Sequence, residues 1–206
     1  MGLNLAIGMP ADAPYADTTR IDLAVIGELL NGEWAEPLTA ERQYFEVWGY
    51  SGLHRLRRIA VHLAAHAALP EPLGADERAI DDPLLAAAYA AAPADPPGPF
   101  DHLIYHSDAE GYYVPADFAA VITDERAPAG GVGSSIRLLA EAQRLAEALG
   151  LPADLDRASE EVIDAADDAD VTAEGWRRYG IEAYICLTLI EAAALSVSTG
   201  AAISFV

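Results

Sequence analysis

The chain has 206 residues, enough for one domain with a sizeable core, and 52% of them are hydrophobic, which excludes intrinsic disorder as a description of the whole. Its 33 acidic residues face 12 basic ones, all of them arginine, for a formal net charge of −21. A field of that sign opposes nucleic acid, whose affinity rests on phosphate neutralisation by cations, and it opposes anionic membrane surfaces.

The same field speeds encounter with a cationic protein, or it simply keeps the chain dispersed in water. A single cysteine, Cys186, leaves no internal disulfide to form. The first residues, MGLNLAIGMPADAPY, carry no basic stretch and too short an apolar run for a secretory leader. The expected compartment is the cytoplasm.

In chain order, Gly2 to Ile7 reads as a short strand that Pro10 and Pro14 cut off. Ile21 to Leu30 is apolar enough for the core, with helix and strand equally open, and Asn31-Gly32 is a turn pair. Tyr44 to Tyr50 alternates like a strand, with the later hairpin as a candidate partner. A helix capped by Ser51 is expected to run to about Leu69, burying Leu53, Leu56, Ile59, Ala60, Leu63 and Ala67.

That helix's polar side carries His54, Arg58, His62 and His66 at four-residue steps, with Arg55 and Arg57 alongside. His54, Arg55 and Arg58 are candidates for a small-anion site, the alternative being an arginine-rich face paired with the chain's own carboxylates. His62 and His66, one turn apart, could share a metal, but no Glu stands between them as in HExxH. Residues 71–99 read as a loop with a helical insert at Asp82 to Ala92, ended by Pro-Pro-Gly-Pro.

The densest polar chemistry lies in Phe100 to Phe118, FDHLIYHSDAEGYYVPADF. Phe100 to His106 has the look of a strand, Ser107 to Gly111 of a turn, and Tyr112 to Val114 of a return strand stopped by Pro115. Asp117 would then cap a short helix over Phe118 to Ile122. On a strand, His102 and His106 project the same way, roughly 7 Å apart. With Asp108 they make either a metal-ligand set for zinc or another divalent ion, or an acid/base pair with its orienting carboxylate. The alternative is two hydrogen-bonded histidines near a sheet edge and an Asp that serves only the turn.

Beyond it, Ala127 to Ser135 is glycine-rich but lacks the P-loop lysine and spacing, so it reads as a loop closing on a Ser134 or Ser135 cap. Leu138, Leu139, Ala142, Leu145, Ala146 and Leu149 trace one face of a helix ended by Gly150 and Pro152. Arg137, Glu141 and Arg144 are set to pair on its other face. Asp154 to Glu174 holds nine acids against Arg157 alone and has no EF-hand register. It is a solvated arm or a surface for a basic partner, with Asp154, Asp156, Glu160, Glu161, Asp164, Asp167, Asp168 and Asp170 as the contact candidates. Gly180 to Ser198 is a long apolar helix that Glu182 and Glu191 mark as the central core helix and not a membrane span, with Cys186 an inert thiol on it. Ala202 to Val206 returns as a strand.

His106-Ser107-Asp108, Gly111-Tyr112-Tyr113-Val114-Pro115 and Asp117-Phe118 resemble the signature of a family of uncharacterised bacterial proteins. The likeness extends to Tyr50-Ser51-Gly52-Leu53-His54-Arg55 and Gly133-Ser134-Ser135, and so covers about two-thirds of the chain. Family members often carry Cys-Asp where this chain has Ala109-Glu110, which argues against a thiol or metal role there. The resemblance implies a shared fold and little about chemistry.

Together these readings predict a single helix-rich α+β domain over residues 1–206, a small, mainly antiparallel sheet backed by four or more helices. In general character the chain is similar to bacterial immunity proteins. The expected function is therefore an acidic cytoplasmic binding protein, immunity- or antitoxin-like, that neutralises a basic protein partner and touches neither nucleic acid nor membrane. It needs no cofactor. The alternative is a hydrolase-like enzyme, metal-dependent or acid/base, built on the His/Asp cluster.

Overall fold

A computed structural model of the chain describes residues 3–8, 16–37, 43–74, 76–123 and 125–205. Pro10 and Pro14 lie outside them, as do Gly2 and Val206, which the sequence also assigned to strands. Among the described residues there are seven helices, α1 (Ala16–Leu29), α2 (Gly49–His66), α3 (Pro83–Ala90), α4 (Asp101–Ile104), α5 (Ser135–Leu149), α6 (Glu160–Asp168) and α7 (Gly180–Thr199). Five strands, β1 (Leu3–Ile7), β2 (Gln43–Val47), β3 (Tyr112–Val114), β4 (Val132–Ser134) and β5 (Ile203–Phe205), form one sheet in the order β2-β1-β5-β3-β4. Only the β3–β4 pair is parallel. The α+β class and the mainly antiparallel sheet stand as expected.

The period of two along each strand sorts side chains between two layers. Leu5, Ile7, Phe45, Tyr113 and Ile203 face a large core with Leu56 of α2, Leu145 of α5 and Ile185 of α7. Tyr112, Val114 and Val132 face the opposite way, onto Leu23, Ile26 and Leu30 of α1 and onto Trp34. That three-, four-residue spacing resolves the 21–30 stretch as helix. Helix α7 is apolar and long enough to cross a bilayer, but it packs on α2, α5 and α6 and is the core helix. Its Cys186 is fully buried, donates its S–H to the Ala142 carbonyl at 3.2 Å, and has its thiol pushed up to about 12 by burial.

Several local expectations are corrected. Phe100 to His106 is not a strand: residues 101–104 form α4 and all four are buried, so no alternating face exists. Burial there overrides strand propensity because Glu141 reaches in from α5 and accepts the N–H groups of His102 and Leu103 at 3.0 and 2.7 Å. These are the orphan donors that open a helix. No hairpin forms; β3 pairs instead with β4 and β5, and β2 pairs with β1. No helix follows Asp117, which pairs with Arg137, and Ile122 bridges to Val132. Helix α2 starts at Gly49, two residues before Ser51.

The glycine-rich stretch contains β4, and its chemistry is steric. A Cβ on Gly133 would lie 2.4 Å from the Tyr113 ring on the paired strand. Ser134 then caps α5 by accepting the Arg137 N–H at 3.2 Å, as expected.

Candidate interaction surface

The arginines of α2 are interior props. Arg55 donates to the carbonyls of Leu73 and Gly74 and sits 3.8 Å from Glu182. Arg57 is 2% exposed and donates to the carbonyls of Leu103, His106 and Ser107, so the end of α4 holds a cation with no carboxylate. Arg58 binds Asp82 and the Glu71 carbonyl, and His62 meets the same Asp82 oxygen at 2.9 Å. Those partners hold the Asp82 carboxyl down at about 2 although burial opposes them, and its other oxygen caps α3. The expected anion patch of His54, Arg55 and Arg58 is thus spent inside the fold.

The histidines are likewise engaged. His102 accepts the Ser134 N–H on Nδ1 and faces the Phe118 and Ala119 carbonyls with Nε2, which defines one neutral tautomer. His106 lies between the carbonyls of Ser107 and Tyr112, stacked on Tyr113 at 4.0 Å, and burial drives its pKa down to about 4. His54 bridges the Tyr89 hydroxyl at 2.6 Å and the Asp108 carboxylate at 3.2 Å. This hydroxyl–imidazole–carboxylate line ties the 107–110 turn to α2 and α3. Burial raises the Tyr89 pKa and lowers that of His54. His66 is exposed and touches His62 edge to face. His102, His106 and Asp108 point to three different sets of partners, and among the described residues no group of three or more His, Cys, Asp or Glu could hold a metal ion.

The acidic segment, by contrast, is displayed. All nine carboxyl side chains from Asp154 to Glu174 are exposed. Its centre is no loose arm: Glu160–Asp168 is helix α6, which buries Val162 and Ala166. Stepping about 100° per residue places Glu160, Glu161, Asp164, Asp167 and Asp168 within an arc of about 120°, opposite that buried side.

Helix α6 is held by its floor. A Cβ on Gly180 would fall 1.8 Å from the Ala165 carbonyl oxygen, so the start of α7 admits α6 only as glycine. Arg177 pairs with Glu161 at 2.6 Å and lies over the Trp176 ring. Asp156 and Asp170 each accept a backbone N–H two residues on, squaring the bends at either end. Glu160, Asp164, Asp167 and Asp168 make no ion pair among the described residues. Carboxylates three and four apart repel, and Asp167 and Asp168 sit at the helix end where negative charge is disfavoured. Glu160 and Glu161 suit the start of the helix, but nothing in local stability calls for Asp164, Asp167 and Asp168.

Sequence reasoning located these acids but missed the helix, whose only apolar signal is Val162, Ile163, Ala165 and Ala166 in a charged run. The comparisons bear on what the face is for. No curated protein and no solved structure matches the chain. The family match overturns the expectation of an immunity- or antitoxin-like protein that neutralises a basic partner, and with it the exclusion of nucleic acid from the account. A family model matches residues 1–205, and on that match the chain belongs to the family described as "Putative DNA-mimic protein".

Proposed function

We propose that the protein is a DNA mimic whose α6 face occupies the DNA-contacting surface of a DNA-binding protein. The nucleic acid enters as the thing imitated, so the partner is defined by its DNA site.

The observation that carries this reading is charge density. Nine residues of α-helix rise about 13.5 Å, so the four carboxylates of α6 outside ion pairs average one charge per about 3.4 Å, in axial steps of about 6, 4.5 and 1.5 Å. One DNA strand carries one charge per roughly 3.4 Å of axis, and the duplex one per roughly 1.7 Å. A site shaped to neutralise phosphates meets comparable charge on a rigid, pre-formed helix, with little ordering cost on binding. Asp154, Asp156, Asp170 and Glu174 prolong the charged track at both ends.

The test is displacement. A bacterial DNA-binding protein fraction is loaded on immobilised duplex DNA and washed with the purified chain. The chain is expected to elute a discrete protein. The variant E160Q/D164N/D167N/D168N is expected to lose at least tenfold in that activity, while D76N/E77Q/D81N, neutralised elsewhere, keeps it. Equal elution by both variants would remove α6 from the proposal.

A further inference from the structure

A cleft of about 610 Å³ opens between the end of α5, the 151–157 loop and α7. Leu151, Leu187 and Ile190 line it, and Glu147, Asp156, Arg157 and Glu191 stand around it. It shares Asp156 with the acidic segment, four residues before α6 begins, so the cleft adjoins the start of that segment. Arg157 ties Glu191 in place and lies over the Phe45 ring at 5.2 Å, which fixes that wall.

Resting on the reading above, we infer that this cleft receives a large apolar side chain from the partner's DNA-contacting helix, flanked on that helix by arginine or lysine. Charge complementarity selects the occupant. With Glu191 already paired to Arg157, Glu147 and Asp156 leave the rim net negative, which favours a hydrophobic anchor whose neighbours are cationic, and the long basic stems can lie along the cleft walls. The volume suits one aromatic or aliphatic side chain together with those stems. The cleft also answers a problem that charge alone leaves open. Phosphate-like contacts position a DNA-binding surface but do not distinguish one such surface from another. On DNA, apolar side chains of a recognition helix meet thymine methyl groups; here the cleft offers them a deeper apolar seat. It would supply the selectivity that the α6 carboxylates lack.

Two synthetic helical peptides test this, identical in arginine content, one with a central phenylalanine and the other with alanine there. Binding to the intact chain is followed by fluorescence anisotropy at low salt. The phenylalanine peptide is expected to bind at least tenfold more tightly, about 1.4 kcal/mol. Ala153→Trp, at an exposed position on the cleft, is expected to abolish that difference while leaving the alanine peptide's affinity unchanged. Methyl resonances of Leu187 and Ile190 should shift with the phenylalanine peptide alone, a readout that needs no variant. Equal affinities and unshifted methyls, with binding still lost in E160Q/D164N/D167N/D168N, would overturn the cleft and leave the α6 reading standing. Failure of both peptides to bind would overturn both.

Discussion

Glu141 accepts two backbone N–H groups from inside the core, yet burial pushes its carboxyl up to about 8. Glu36, which accepts the Ala202 N–H at 2.8 Å, is raised by burial to about 7. Both bind a proton more tightly folded than unfolded. Their stabilising contribution is therefore fully present below about 4.5 and is lost as pH rises through 7 and 8. His106 runs the other way: its contribution is full above about 6.5 and is lost as pH falls toward 4. His54 and His102, lowered by burial as well, act in the same sense as His106, but above about pH 7 all three are mostly neutral in the unfolded chain too. Between pH 7 and 8 the carboxyls therefore dominate, and the melting temperature is expected to fall across that window. Glu36→Gln should make the fall shallower. Thermal melts at high salt, which screens surface charge, check this; a melting temperature that is flat or rising from pH 7 to 8 would contradict it.

Residue roles were the least legible level of the sequence. Glu141 falls one turn from Arg137 and close to Arg144, the pattern of an exposed helix pair, while its actual partners lie 38 and 39 residues away in α4. The α2 arginines read as a surface patch because nothing local reveals that backbone carbonyls of residues 71–74 and 103–107 will enclose them.

At the scale of elements, α6 is the one whose sequence works against itself. Its last turn carries Asp167 and Asp168 and no base, so the helix end lacks the cation that would complement its dipole. Asp167→Lys with Asp168→Arg should therefore raise stability, by about 0.3–1 kcal/mol for each site, while weakening the proposed partner interaction at least tenfold. Denaturant unfolding and the elution assay on the same variant check both halves. A variant that is more stable and fully active would show that these acids serve no binding role. Helix α5, with its strong period, α7, a long and nearly continuous apolar run, and the short strands at both ends of the chain were readable from pattern alone. Helix α4 and strand β4 were not, because each is made by long-range contacts: Glu141 on one, the Tyr113 strand on the other. Four residues and three residues leave no period to read.

Across the whole molecule, burial leaves the charge at the surface. By formal count three buried arginines, Arg55, Arg57 and Arg58, match three buried acids, Asp101, Glu141 and Glu182, so the formal net −21 belongs to the rest of the chain, although burial favours the neutral form of Glu141 and Glu182. Most surface arginines with assigned ion pairs, such as Arg157, Arg177 and Arg178, neutralise single carboxylates and leave the unpaired row on α6 intact. Composition made that excess visible at once. It did not show that five of the acids gather on one face of a helix, and without that arrangement the proposed DNA mimic is indistinguishable from any acidic binder.

Mutual exclusion tests the mimicry most directly. The DNA-binding protein released in the elution assay is bound to the labelled chain and titrated with duplex DNA, with free and bound species resolved by native mass spectrometry. The chain is expected to leave as duplex binds, one for one, with no species containing all three components. A stable ternary complex would contradict the account, because the chain would then be held somewhere other than the DNA site.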